Sequence, residues 1–148
     1  MARTIYLAVF SNGSKPAHWA IWLPSPKNHE VGKLVHVTGN PATGFYLEFK
    51  RNYDFSTTYR GYRILALAQV NDQFVKDTTE LEGKDTTARD RLESTATVVP
   101  PPGRSANPFD PAAPNCQNWI FDFVEKLIAD GSITGDSRTV LQNAPKRL

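Results

Sequence analysis

Thiols and imidazoles are scarce in this chain: 148 residues hold one cysteine, Cys116, and three histidines. A single cysteine excludes an internal disulfide and a cysteine-rich metal site. Charge of one sign is also in short supply. Seventeen Lys and Arg face fifteen Asp and Glu, a surplus too small, and too evenly spread, to argue for nucleic acid. No apolar run approaches the roughly 20 residues of a membrane-spanning helix. The apolar start over 3–10 is short and runs into Ser11-Asn12-Gly13-Ser14, so it reads as a strand and turn rather than a secretory leader. The Asn12-Gly13-Ser14 sequon is read the same way, because Asn-Gly is a preferred hairpin turn. Phosphate-binding glycine loops, the Gly-x-Ser-x-Gly elbow, paired-carboxylate motifs and internal repeats are all missing. The expectation is a soluble, cytoplasmic protein folded as a single domain over 1–148.

What is present falls into two halves. Residues 3–10, 18–23, 33–38, 45–51 and 62–70 are rich in β-formers and separated by Gly, Pro and Asn, which predicts an antiparallel meander. The Ala and Leu content of 62–70 leaves a helix open there. Asp85 reads as the N-cap of a polar helix over 85–92. Residues 99–114 hold six prolines and can be neither helix nor central strand. A loop of that length suits one wall of a cleft. It leads directly to Cys116. The apolar residues at 119, 120, 123, 124, 127 and 128 then make a helical stripe that Gly131 ends, and a short helix covers 136–143. The predicted fold is α+β, with about four to six strands packed on a helix that carries the cysteine at its N-terminus.

Cys116 therefore sits where unpaired backbone N–H groups and the helix dipole favour a thiolate. His18 and His36 lie on strands that a turn centred on Lys27 would pair, with opposed residue numbers adding to 54. That register puts His18, Ala20, Trp22, Leu34, His36 and Thr38 on one face, and Trp19, Ile21, Leu23, Val35 and Val37 on a core face. One activatable thiol beside two imidazoles is the equipment of acyl transfer through a thioester. Cys116 is the expected nucleophile, His18 the base and His36 its partner. Trp22, Asn115 and Trp119 are the expected substrate contacts, and no cofactor is called for. His29 reads as surface. Other readings are a structural cysteine in a non-catalytic ligand-binding module, an aromatic stacking platform from Trp19 and Trp22, and a metal scaffold built on His18, His36 and Cys116. The last lacks any metal-ligand spacing.

The segments His18-Trp19-Ala20-Ile21-Trp22-Leu23, Leu34-Val35-His36-Val37 and Asn115-Cys116-Gln117-Asn118-Trp119 resemble the signature of the lecithin retinol acyltransferase-like proteins. The resemblance covers about a tenth of the chain, in the family's order. It implies a circularly permuted papain-like fold, in which the histidine strands precede the cysteine helix. It also implies a Cys116–His18–His36 site for an acyl hydrolase or acyltransferase acting on an ester or amide. The acyl substrate would be a small molecule, a lipid or a peptide-like compound, with an amidase or isopeptidase as the nearest variant. Gln117 and Asn118 depart from the acidic residue and histidine of the family pattern, and Pro16 from a tyrosine. The chain ends Lys146-Arg147-Leu148, with no counterpart to the hydrophobic anchor of the membrane-bound relatives.

Overall fold

The computed structural model of the protein describes residues 2–77 and 82–148. Among these described residues six strands form one antiparallel sheet: β1 (Ala2–Phe10), β2 (His18–Pro24), β3 (Val31–Asn40), β4 (Gly44–Asp54), β5 (Tyr62–Asn71) and β6 (Gly83–Asp85). Three helices follow: α1 (Arg91–Thr97), α2 (Cys116–Ala129) and α3 (Ser137–Asn143). The fold is α+β, and α2 packs across β2 and β3. Among the described residues no helix is long and apolar enough to cross a membrane.

Strand alternation builds two cores. Val9, Trp19, Ile21, Leu23, Val35, Val37 and Phe49 face the helices and meet Trp119, Ile120, Phe123, Val124 and Leu127 of α2. Each of these large apolar side chains contributes about 1.5–3 kcal/mol by leaving water. The opposite face carries a smaller cluster in which Ala8, Phe10, Ala20, Trp22 and Leu34 pack on Phe55. Two cations, Lys33 and Arg51, also lie on the helix side. They are kept there by Asp90 and Glu93 (Lys33) and by Asp85 and Glu93 (Arg51).

Helix α2 forms where the stripe predicts it. Asn115 accepts from Gln117 N at 2.9 Å, and Asn118 Oδ1 returns the cap by accepting from Asn115 N at 2.9 Å. Gly131, at φ 80°, closes the other end in a backbone conformation that side chains resist.

Three expectations need correction. The sheet is not a plain meander, because its order is β5-β1-β2-β3-β4-β6. After β4 a one-turn 3₁₀ segment, Phe55–Thr57, capped by Asp54, buries Phe55 under the outer face. The chain then crosses to pair β5 with β1 along its whole length. Second, Asp85 ends β6 instead of capping a helix. Its carboxylate binds Arg51 at 2.8 and 3.1 Å, and Asp90 caps α1 by accepting from Glu93 N at 2.8 Å. Third, the β2–β3 ladder pairs Ile21 with Val35 and Trp22 with Leu34, so opposed numbers add to 56 and the turn centres on Asn28. The turn over Pro24–Val31 is closed by Ser25 N donating to Val31 O at 2.7 Å. A slip of two leaves every side chain on its predicted face and makes His18 and His36 diagonal neighbours.

Candidate active site

His18 opens β2 and His36 lies near the middle of β3, with both side chains on the outer face. His18 Nε2 and His36 Nδ1 are 2.7 Å apart, and His36 Nε2 lies 3.0 Å from Glu48 Oε1. The carboxylate fixes the direction of this chain. Glu48 only accepts, so His36 donates from Nε2 and keeps a lone pair on Nδ1. His18 must then donate from Nε2, which leaves its Nδ1 as the free basic nitrogen. Among the described residues nothing hydrogen-bonds Nδ1, and no fully buried side-chain nitrogen or oxygen lacks a partner. Nδ1 is thus not fully sealed from solvent.

Both rings rest neutral. Burial, helped by the charges of His36, Arg60 and Lys50, lowers the His18 pKa to about 3. Burial also lowers His36, against the pull of Glu48. Glu48 itself titrates below the usual carboxylate range because it accepts from His36. Phe10 backs the His18 ring, with centroids 5.9 Å apart.

Cys116 is the first residue of α2 and is only 7% exposed. Its thiol donates to Ala17 O at 3.8 Å, the carbonyl that leads into His18. Gln117 Nε2 donates to that same carbonyl at 2.9 Å and to Lys146 O at 3.0 Å, which pins the start of β2, the start of α2 and the C-terminal segment together. No carbonyl of the described residues accepts from the N–H of Cys116, which lies beside its own sulfur. The expected thiolate is not the resting state. Burial pushes the Cys116 pKa above its ordinary value, outweighing the N–H groups of Trp19, Cys116 and Gln117. Desolvation of a sulfur in a packed core is larger than the pull of a helix end.

Cys116 and His18 line one cleft of about 560 Å³. Its other walls come from the β3–β4 turn, from Phe45, and from Pro108, Phe109, Pro111 and Ala113 of the proline-rich segment. That segment is held down by Phe45 N donating to Pro102 O at 2.8 Å and Ser105 N to Pro41 O at 2.8 Å. Phe109 stands 93% exposed at the rim.

The three expected substrate contacts separate. Asn115 lines the cleft. Trp22 does not. It is 3% exposed and packs edge-on against Phe55, at 4.6 Å between centroids, in the outer cluster. Trp119 is fully buried, stacks on Phe123 and donates to Val99 O at 2.9 Å, so it belongs to the core. Trp19 is core as expected, which removes the stacking platform. His29 is exposed. Among the described residues no three His, Cys, Asp or Glu side chains converge as a metal-ligand set.

The profile of a family of unknown function, DUF6540, matches residues 5–134. The chain belongs to the DUF6540 family. The match takes in β1 from Ile5 onward, β2 to β6 and the whole of α2, so His18, His36, Glu48 and Cys116 lie inside the DUF6540 region. Neither the curated proteins nor the solved structures give a match. Within this DUF6540 member, Glu48 is the site residue that periodicity alone does not single out. A signal for it exists in the β3–β4 turn. Asn40 Oδ1 accepts from Ala42 N and Thr43 N, and Asn40 pairs with Gly44. Opposed numbers then add to 84, which sets Glu48 across from His36.

Proposed function

We propose that the protein is a thiol acyl hydrolase or acyltransferase of permuted papain-like architecture. The observation that carries this reading is the Glu48–His36–His18 chain, whose free Nδ1 belongs to a residue lining the same cleft as Cys116. The thiol leaves the Ala17 carbonyl and gives its proton to His18 Nδ1 as sulfur attacks the substrate carbonyl carbon. The oxyanion is met by the N–H of Cys116. The thiolate supplies the counter-charge that His18 lacks at rest, and Glu48 supports the imidazolium through His36. His18 then protonates the departing alcohol or amine, leaving a Cys116 thioester. Water or a second acceptor, deprotonated by His18, attacks that thioester and releases Cys116 with its proton restored.

An acyl-directed electrophilic probe, read by intact mass, tests this. The wild-type protein is expected to gain one adduct, Cys116→Ala none, and His18→Ala is expected to react at least tenfold more slowly. Labelling that is insensitive to His18 would sink the catalytic reading. A buried thiol bonded to a backbone carbonyl favours, in that event, a ligand-binding module in which Cys116 is structural.

A further inference from the structure

Beyond His18, away from the sulfur, a second cavity of about 290 Å³ opens on the outer face of the sheet. It shares Asn12, His18, Thr38 and Gly39 with the cleft. His18 and His36 lie in it, together with Lys50, Arg60 and Lys84. Arg60 and Lys84 are exposed and Lys50 is half-buried, with its ammonium over the Tyr53 ring, and all three line the cavity. Lys50 and Lys84 are directly opposed on β4 and β6, where like charges repel. Arg60 uses Nε on Ser11 O at 2.9 Å and lies over the Phe10 ring. Among the described residues none of the three has a carboxylate at ion-pair distance, whereas Arg3, Lys33, Arg51 and Arg138 all do. Among the described residues the one acidic group lining the cavity is Glu48, which accepts from His36 and also feels the charges of Lys84 and Lys50. Three cations against one committed carboxylate make a cavity of net positive charge. Such a concave site concentrates anions.

We infer that this cavity receives an anionic group, a carboxylate or a phosphate, carried on the leaving half of the substrate. The assignment to the leaving half rests on the acyl-transfer reading. The departing oxygen or nitrogen must come within reach of His18 to be protonated, and the cationic cavity is lined by that same ring. The acyl half then occupies the larger cleft beside Cys116, Phe45 and Phe109.

Two measurements test the inference separately from the chemistry. In Cys116→Ala protein the His18 and His36 imidazole NMR signals are followed during titration with inorganic phosphate and with glutarate, at ionic strength held constant with chloride. Saturable shifts, with affinity reduced at least fivefold in the Lys50→Gln/Lys84→Gln double variant or in Lys84→Gln alone, support the site. A non-saturable response, or one indifferent to those lysines, overturns it whether or not the thiol is catalytic. In wild-type protein, butanoyl oxygen esters of glycolate, 2-hydroxyethyl phosphate, ethylene glycol and choline are compared by kcat/KM. The anionic leaving groups are expected to exceed the neutral one at least tenfold and the cationic one by more, and the double lysine variant should bring the ratio towards one. The better anionic substrate distinguishes carboxylate from phosphate. Equal turnover of all four overturns the inference and leaves the thiol chemistry standing. Turnover of none counts against the thiol chemistry, and the titration then decides the anion site by itself.

Discussion

At the scale of single residues, the proton inventory of the site follows from one carboxylate. Glu48 makes His36 a donor at Nε2, and His36 makes His18 a donor at Nε2, so the basic lone pair is delivered at Nδ1. Replacing the carboxylate by an amide removes this direction, because a glutamine can donate to His36 as readily as accept. Glu48→Gln is expected to slow acyl-probe labelling of Cys116 on the order of tenfold or more. Nitrogen NMR should show that His18 Nδ1, unprotonated in the wild type, gains a share of the proton in the variant. An unchanged tautomer with a reduced rate would mean that Glu48 acts only through packing. The thiol makes a second expectation. Burial raises Cys116, so iodoacetamide alkylation should climb with pH through the ordinary thiol range without a plateau between pH 5 and 8. A plateau there would reveal an ion pair in the resting protein. The dipole of α2 does reach the sulfur, but sequence spacing could not weigh it against burial, which depends on what packs around Ala17 and Gln117.

At the scale of elements, the sheet is tied to α1 by charge. Glu93 is fully buried between Lys33 of β3 and Arg51 of β4, and those cations hold its carboxyl below the usual range despite burial. Glu93→Ala would leave two buried cations short of their shared partner, and a loss of about 3–5 kcal/mol is expected in denaturant unfolding. A loss below about 1 kcal/mol would mean that water reaches the cluster. This network also explains which elements the sequence announces. Strands β1 to β4 and helix α2 are legible because alternation and the 3.6-residue stripe match the two cores, and because Asn115 and Gly131 mark the helix ends. The choice between Asp85 and Asp90 as a cap is not legible, since Arg51 claims Asp85 from a distant strand. Nor is the pairing of β5 with β1, which follows from Phe55 filling the outer cluster and turning the chain back. Trp22 and Trp119 show the same limit at the site. They lie close in sequence to the candidate site residues His18 and Cys116, yet their side chains answer to Phe55 and Phe123.

For the whole molecule, neutral buried histidines tie folding to pH. His18 titrates at about 3 when folded and His36 is also lowered, while an unfolded imidazole takes its proton near 6.5. Between those values the unfolded chain binds more protons, so stability is complete above roughly pH 6.5 and falls as the pH drops towards 3. Glu48, Asp85 and Glu93 are held below their ordinary values and add to the loss only further into acid. Tm is therefore expected to fall between pH 7 and pH 5, before the carboxylates titrate, and less steeply in His18→Asn. A Tm that stays flat over that interval would show that the rings protonate in the folded state. The two ends of the described chain have unequal standing in this architecture. Lys146 O accepts from Ala17 N at 2.8 Å, Ser11 Oγ donates to Leu148 O at 3.1 Å, and Arg147 lines the cleft. Ala2, by contrast, begins the strand whose far end, Phe10, pairs with His18, which puts it about 25 Å from Phe10 along the strand. A tether, dye or bead joined behind Leu148 would hang at the mouth of the candidate cleft. The same attachment made ahead of Ala2 would leave that mouth clear.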